Sequence, residues 1–189
     1  MKNKVFRVDL QTFQIPTGLA LFIFCILSCG RSYNTQQSAK EIAEIMRQRE
    51  EIMLRVHQQL VEEDAEEIAA YAAREGWQLK TTDSGLSYMI YENGQGEKAA
   101  AGKIATLEYT LSLMDGDVCY SSEQLGQLTF RLGTTEVEAG LDEGVQLMRV
   151  GDKARLFLPP HLAHGLTGDG VCIPRRATIL YDVELMNLE

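Results

Sequence analysis

Between Ala105 and Leu113 apolar and polar residues alternate without a break. Ala105, Leu107, Tyr109, Leu111 and Leu113 fall on one side, and Thr106, Glu108, Thr110 and Ser112 on the other. A period of two predicts a half-buried strand with one face on a core. Asp115-Gly116 follows, a dipeptide that tolerates the positive φ of tight turns, so the chain reverses there into a hairpin. Shorter stretches of the same texture recur at residues 88–91, 129–132 and 153–158, and in a closing run where Ile179, Tyr181, Val183 and Leu185 alternate with other positions. Asn93-Gly-Gln-Gly96 reads as a turn, and Leu141, Val145 and Met148 share one face of a short helix ended by Gly151. The expectation for residues 81–189 is an α+β domain, an antiparallel sheet wrapped on one short helix.

Ahead of this region the period changes from two to between three and four. Ser38-Ala-Lys-Glu41 reads as a capping box, the serine and glutamate each satisfying a free amide at a helix start. Ile42, Ile45, Met46, Ile52, Met53, Val56 and Leu60 then form one apolar stripe among charges. Asp64-Ala-Glu-Glu67 reads as a second helix start, with carboxylates suited to the positive end of the helix dipole, and Gly76 as its stop. Two helical segments are thus predicted within a helical extension at residues 38–77. One helix cannot hide such a stripe alone. It needs the following domain, the second helix or another copy of the chain, and the last makes residues 38–77 a candidate homodimer surface.

Residues 1–28 carry a third pattern. Lys2, Lys4 and Arg7 form a basic start, residues 19–27 an unbroken apolar run, and Ser28-Cys29 a small-residue close. The run is too short to cross about 30 Å of hydrocarbon comfortably and reads as a cleaved export signal. Its junction, Leu27-Ser-Cys-Gly30, resembles a bacterial lipoprotein signal, which implies that Cys29 is lipidated and becomes the first mature residue. An ordinary cleaved signal and an uncleaved anchor are the alternatives. Polar, aperiodic residues 29–37 then serve as a spacer. Acyl chains contribute about 0.8 kcal/mol per buried methylene, so two or three hold a protein on a membrane. The expected location is the cell envelope, lipid-anchored, facing the periplasm or at the outer membrane.

Composition narrows the partners. With 45% hydrophobic and 24% charged residues in 189, the chain suits one globular domain with an appended segment. Its formal net charge of −9 falls to −11 once residues 1–28, with three basic residues and one acid, are removed. Such a chain repels phosphate backbones, so nucleic acid is not an expected partner. Of four cysteines, Cys25 leaves with the signal and Cys29 takes the lipid. Cys119 and Cys172 remain, in a compartment that permits pairing.

Three blocks carry a resemblance to a known family. The first runs from Tyr109 through Asp115-Gly116 to Ser121-Ser122. The second comprises Phe130-Arg-Leu-Gly133, Glu136-Val137, Gly140, Glu143-Gly144, Met148 and Gly151. The third comprises Ala163-His-Gly165, Gly168, Ile173-Pro174, Ala177-Thr178 and Tyr181-Asp-Val-Glu-Leu185. In this order and spacing residues 81–189 resemble an FKBP-type peptidyl-prolyl isomerase domain. The preceding helices resemble the extension of exported bacterial members, where it serves dimerisation or substrate gathering, and lipoprotein members associated with gliding motility are a similar subgroup. The resemblance implies isomerisation of X-Pro bonds in unfolded or exported proteins, with no cofactor and no metal. Its alternative is a proline-peptide binding module or chaperone that keeps the fold without the rate enhancement.

The same resemblance assigns the site. Tyr109, His164 and Tyr181 take the catalytic positions, and Cys119, Tyr120, Leu128, Val137, Glu138, Leu141, Ala163, Cys172 and Ile173 the substrate-binding ones. Several depart from the family pattern. Leu128 stands where phenylalanine is usual, Glu138 where isoleucine is, and Leu141 where a tryptophan forms the pocket base. At Glu138 the family's useful group is the backbone amide. Cys119-Tyr120 replaces phenylalanine and aspartate, with no arginine following to pair with that aspartate. His164 replaces a tyrosine whose hydroxyl donates to the ligand, a task an imidazole N–H also performs. The positions of Cys119 and Cys172 face each other across the pocket mouth in the family, which makes a disulfide the leading expectation. Free buried thiols and a metal site with His161 and His164 are the alternatives.

Overall fold

A computed structural model describes the backbone of residues 17–189 and the side chains from Gln36 onward. The basic start of the expected leader, with Lys2, Lys4 and Arg7, lies outside the described residues. The chain divides into two compact units, Met1–Arg55 and Val56–Glu189.

Helix α1 (Thr17–Glu75) starts in the first unit and ends in the second. The expected spacer at 29–37 and the second helix start at Asp64 do not interrupt it. No glycine or proline occurs between Arg31 and Glu75, and the acidic run is made of residues that fit a helix interior. A capping sequence acts only where the backbone leaves helical angles, and Asp64 instead accepts a hydrogen bond from Arg176 Nη2 at 3.0 Å. The stop at Gly76 is as expected. Gly76, at φ +73°, donates to Ala73 O and Trp77 donates to Ala72 O, a Schellman closure. In the first unit Ile42, Ile45, Met46, Ile52 and Met53 are each more than half exposed, so the apolar stripe faces solvent. Among the described residues no helix is long and apolar enough to cross a membrane.

The second unit is built on an antiparallel sheet of β1 (Lys80–Thr81), β2 (Ser87–Glu92), β3 (Ile104–Leu113), β4 (Val118–Ser121), β5 (Leu128–Arg131), β6 (Lys153–Leu158) and β7 (Ile179–Leu188). The order is β1-β2-β6-β7-β3-β4, with β5 also paired to β3. Strand β3 therefore bonds along both edges: to β7 over its whole length, and on the other side to β5 at Ile104–Leu107 and to β4 at Thr110–Ser112. The predicted alternation holds in its burial, with Ala105, Leu107 and Leu111 in the core and Glu108 exposed. The hairpin at Asp115-Gly116 also forms. Gly116 takes φ +99°, and the Asp115 carboxylate accepts the Asp117 amide at 3.0 Å.

Two apolar clusters hold the sheet between helices. On one face α3 (Ala139–Gln146) buries Leu141 and Val145 with Leu107, Leu111, Leu156, Leu158, Ile179 and Leu185. On the other, Ile68 and Tyr71 of α1 pack with Phe157, Leu180 and Trp77. Arg155 lies over the Trp77 ring at 4.1 Å and bonds Asp182 at 3.1 Å, which closes the rim of that second cluster.

The helix α3 approaches β6 closely because two of its residues have no side chain. A Cβ at Gly140 would stand 2.6 Å from Leu158 Cγ, and one at Gly144 2.6 Å from Leu156 Cδ1. Gly140→Ala should therefore cost about 1–3 kcal/mol through overpacking. Urea unfolding followed by Trp77 fluorescence measures it, and an unchanged midpoint would show that the helix lifts off without penalty.

Candidate functional site

Seven of the twelve residues assigned from the sequence meet in one open cavity of about 490 Å³. Strand β3 brings Tyr109, β4 brings Tyr120, β5 brings Leu128 and β7 brings Tyr181. The segment before α3 brings Val137 and Glu138, and the loop between β6 and β7 brings His164. The register of β3 with β7 sets Tyr109 opposite Val183 and Leu111 opposite Tyr181. Tyr109 and Tyr181 are thus diagonal neighbours on one face, with ring centroids 6.0 Å apart at 51°.

Glu138 stands where three of these elements converge. Its carboxylate accepts the Tyr181 hydroxyl at 3.2 and 3.3 Å, and its Oε1 lies 2.8 Å from His164 Nε2. Burial, and then the charge and hydrogen bond of Glu138, push the Tyr181 hydroxyl far above the usual phenol range. Burial and Glu138 push Tyr109 in the same direction. Both phenols are accordingly neutral donors at any physiological pH. His164 Nε2 is directed to Glu138, so the two side chains act as one linked group.

The remaining five assigned residues do not line the cavity. Leu141 is fully buried in the main core, as is Ile173 at 2% exposure. Ala163 packs against the same core from the loop. Cys119 and Cys172 form a disulfide, with Cα atoms 5.6 Å apart. Among the described residues no cluster of potential metal ligands is found. Leu111, Leu125, Thr135 and Glu136 line the cavity without having been assigned. Leu111 was readable as an inward strand position. Leu125 was signalled only as a single apolar residue in a polar stretch, and it projects, 66% exposed, from the short helix α2 (Ser122–Leu125).

The loop at 159–178 that carries His164 is fastened to the sheet beside the cavity. The disulfide joins it to β4, and one residue further along β4 the Tyr120 hydroxyl donates to Asp169 Oδ2. Asp169 Oδ1 accepts the amides of Val171, Cys172 and Ile173 at 2.8–3.0 Å. Burial works to raise the Asp169 pKa, but the Tyr120 hydroxyl and these three amides outweigh it and hold the carboxyl well below the usual range. Gly168, at φ +68°, admits no side chain, since a Cβ would fall 2.2 Å from Ile173 O. At the far end Arg176 bonds Asp64 Oδ1 at 3.0 Å and Leu60 O at 3.3 Å. With a sequence separation of 53, closure by Cys119 and Cys172 removes denatured-state entropy worth about 4 kcal/mol. The double variant Cys119→Ser, Cys172→Ser should lose about 2–4 kcal/mol in urea unfolding, and the parent measured in reductant should lose the same. Equal stability in all three would show that the link contributes nothing.

Comparisons with known proteins agree on the domain. The family model described as FKBP-type peptidyl-prolyl cis-trans isomerase matches residues 95–186. The chain is 44% identical over 125 residues to the FKBP-type peptidyl-prolyl cis-trans isomerase FkpA of Aeromonas hydrophila, a match covering 66% of this chain and 45% of that protein. It is 35% identical over 106 residues to FK506-binding protein 1 of Dictyostelium discoideum, covering 56% of this chain and 99% of that protein. The crystal structure of FkpA from Escherichia coli aligns with a TM-score of 0.57 at 32% identity, across 70% of this chain and 64% of that one. The matches to the first two curated relatives span less than half of their length, 45% and 42%.

Proposed function

Because the chain belongs to the FKBP-type peptidyl-prolyl cis-trans isomerase family, we propose that its 490 Å³ cavity receives the proline of an X-Pro segment and catalyses rotation about the preceding bond. Rotation costs about 18–20 kcal/mol because amide resonance must be broken, while the two X-Pro isomers differ by only about 0.5–1 kcal/mol. The reaction makes and breaks no covalent bond. It needs walls that displace water from the planar, charge-separated amide, and donors placed for the carbonyl as it twists. Tyr109, Leu128, Val137 and Tyr181 supply the walls. The backbone amide of Glu138, at the cap of α3, is the donor the resemblance provides.

The observation that carries this reading is the convergence of two tyrosine rings and two aliphatic side chains from four separate segments on one cavity. A protease-coupled assay on an Ala-Leu-Pro-Phe peptide tests it. The purified chain at micromolar concentration should accelerate isomerisation, and Leu128→Ala should lower kcat/KM about tenfold by removing apolar contact from the wall. An uncatalysed rate beside intact suppression of client aggregation would mark a proline-binding module or chaperone instead.

The lipoprotein-like junction and the exposed stripe on α1 support a further reading of the whole protein. It is an envelope lipoprotein, anchored through Cys29, that assists folding of exported clients as a homodimer through residues 38–77. Burial of Ile45, Met53, Val56 and Leu60, at about 1.5–3 kcal/mol each, is sufficient to drive the association. Cys29→Ser should move the protein from the membrane to the soluble fraction, where light scattering should read a mass of two chains. Retention on the membrane would overturn the anchor, and the mass of one chain the dimer.

A further inference from the structure

The cavity carries more acid than base, and the basic side chain among its described lining residues, His164, is already directed at Glu138. Glu136 and Glu138 line it, and among the described residues neither lysine nor arginine does. The arginines of the adjoining segments are engaged elsewhere. Arg131 donates to Gly102 O at 2.7 Å, Arg175 to Leu166 O at 3.2 Å, and Arg176 to Asp64. Behind the wall formed by Tyr120, Asp169 adds a third carboxylate.

Glu138 decides what lies comfortably against this surface. Its side chain is only 16% exposed, so a peptide seated in the cavity strips away much of the water that remains on it. The Tyr181 hydroxyl and His164 Nε2 orient the carboxylate. An apolar or acidic residue beside the substrate proline takes water from that charge and returns nothing. An ammonium or guanidinium returns a charge-assisted hydrogen bond. Glu136 is exposed at the rim, where it acts on encounter more than on the final contact.

We infer that this pocket selects prolines flanked by lysine or arginine, and that Glu138, assisted by Glu136, is the specificity-determining residue. The inference rests on the reading of the cavity as the proline site. It names a substrate class: basic X-Pro segments, in preference to the apolar ones that an isoleucine at 138 would favour.

The test uses the full chain at pH 8.5 and low salt with Ala-Xaa-Pro-Phe peptides in which Xaa is Lys, Leu or Glu. Isomerisation rates and Kd values from fluorescence anisotropy of labelled forms of the same peptides are measured in parallel. The Lys peptide should exceed the Glu peptide roughly tenfold in kcat/KM and also exceed the Leu peptide, with the gap narrowing at 0.5 M salt. Glu138→Gln should reduce the Lys-over-Glu ratio at least threefold. Glu136→Gln, at an exposed position where the amide oxygen still accepts the Arg131 backbone N–H, should reduce it less and serves as the variant whose fold is least disturbed. Parity of Lys and Leu in the parent, or a ratio unchanged in both variants, overturns the inference. If no peptide is isomerised, the catalytic reading fails on its own, and the Kd series still decides this one: tighter Lys binding supports it, equal binding overturns it.

Discussion

Strand β3 is bonded along both edges, and the cavity is assembled from what that strand holds in register. Its pairing with β7 makes Tyr109 and Tyr181 diagonal neighbours. Its pairing with β5 brings in Leu128, and its pairing with β4 brings in Tyr120. A slip of one residue on either side would turn an inward ring to solvent and an outward Glu108 or Asp182 into the core, at a cost no pocket residue could repay. Register is fixed by the buried face, where Ala105, Leu107 and Leu111 leave no room for alternatives. The functional geometry therefore follows from core packing and not from contacts among the pocket residues.

Those contacts matter at a second level, where three edges of the cavity are held to each other. Glu138 links the cap of α3 to β7 through Tyr181 and to the loop at 159–178 through His164. The disulfide and the Tyr120–Asp169 bond tie the other side of that loop to β4. A covalent link, a phenol–carboxylate bond and a shared carboxylate together hold these segments. The main apolar core lies underneath them.

Period and turn chemistry were enough to place β3, the Asp115-Gly116 hairpin and the buried Leu141 and Val145 of α3, because each depends on residues close in the chain, although α3 ends at Gln146, before Met148 and the expected stop at Gly151. Helix α1 was misjudged for the complementary reason. Asp64 has the composition of a cap, but its role is set by Arg176, 112 residues away. The site divides along the same line. Tyr109, Tyr181 and Leu128 lie on strands whose alternation fixes their direction. Leu141 and Ile173 were assigned to the pocket by family position, and the structure buries both in the core. The joint engagement of Glu138 by Tyr181 and His164 has no signature in spacing, since 43 and 26 residues separate the partners.

The seat of α3 on β6 has a bearing on how this chain tolerates change over generations. Any replacement of glycine adds atoms, so at Gly140 and Gly144 random substitution runs in one direction, toward collision with Leu158 and Leu156. A later change can relieve it only by shortening one of two buried leucines, which opens a void elsewhere in the core. Drift must therefore pass through a destabilised intermediate before it can move the helix, and Glu138 at its cap moves with it. The pocket's chemistry can vary freely at exposed Glu136 or Thr135, while its shape is inherited almost unaltered from two positions that never touch a ligand.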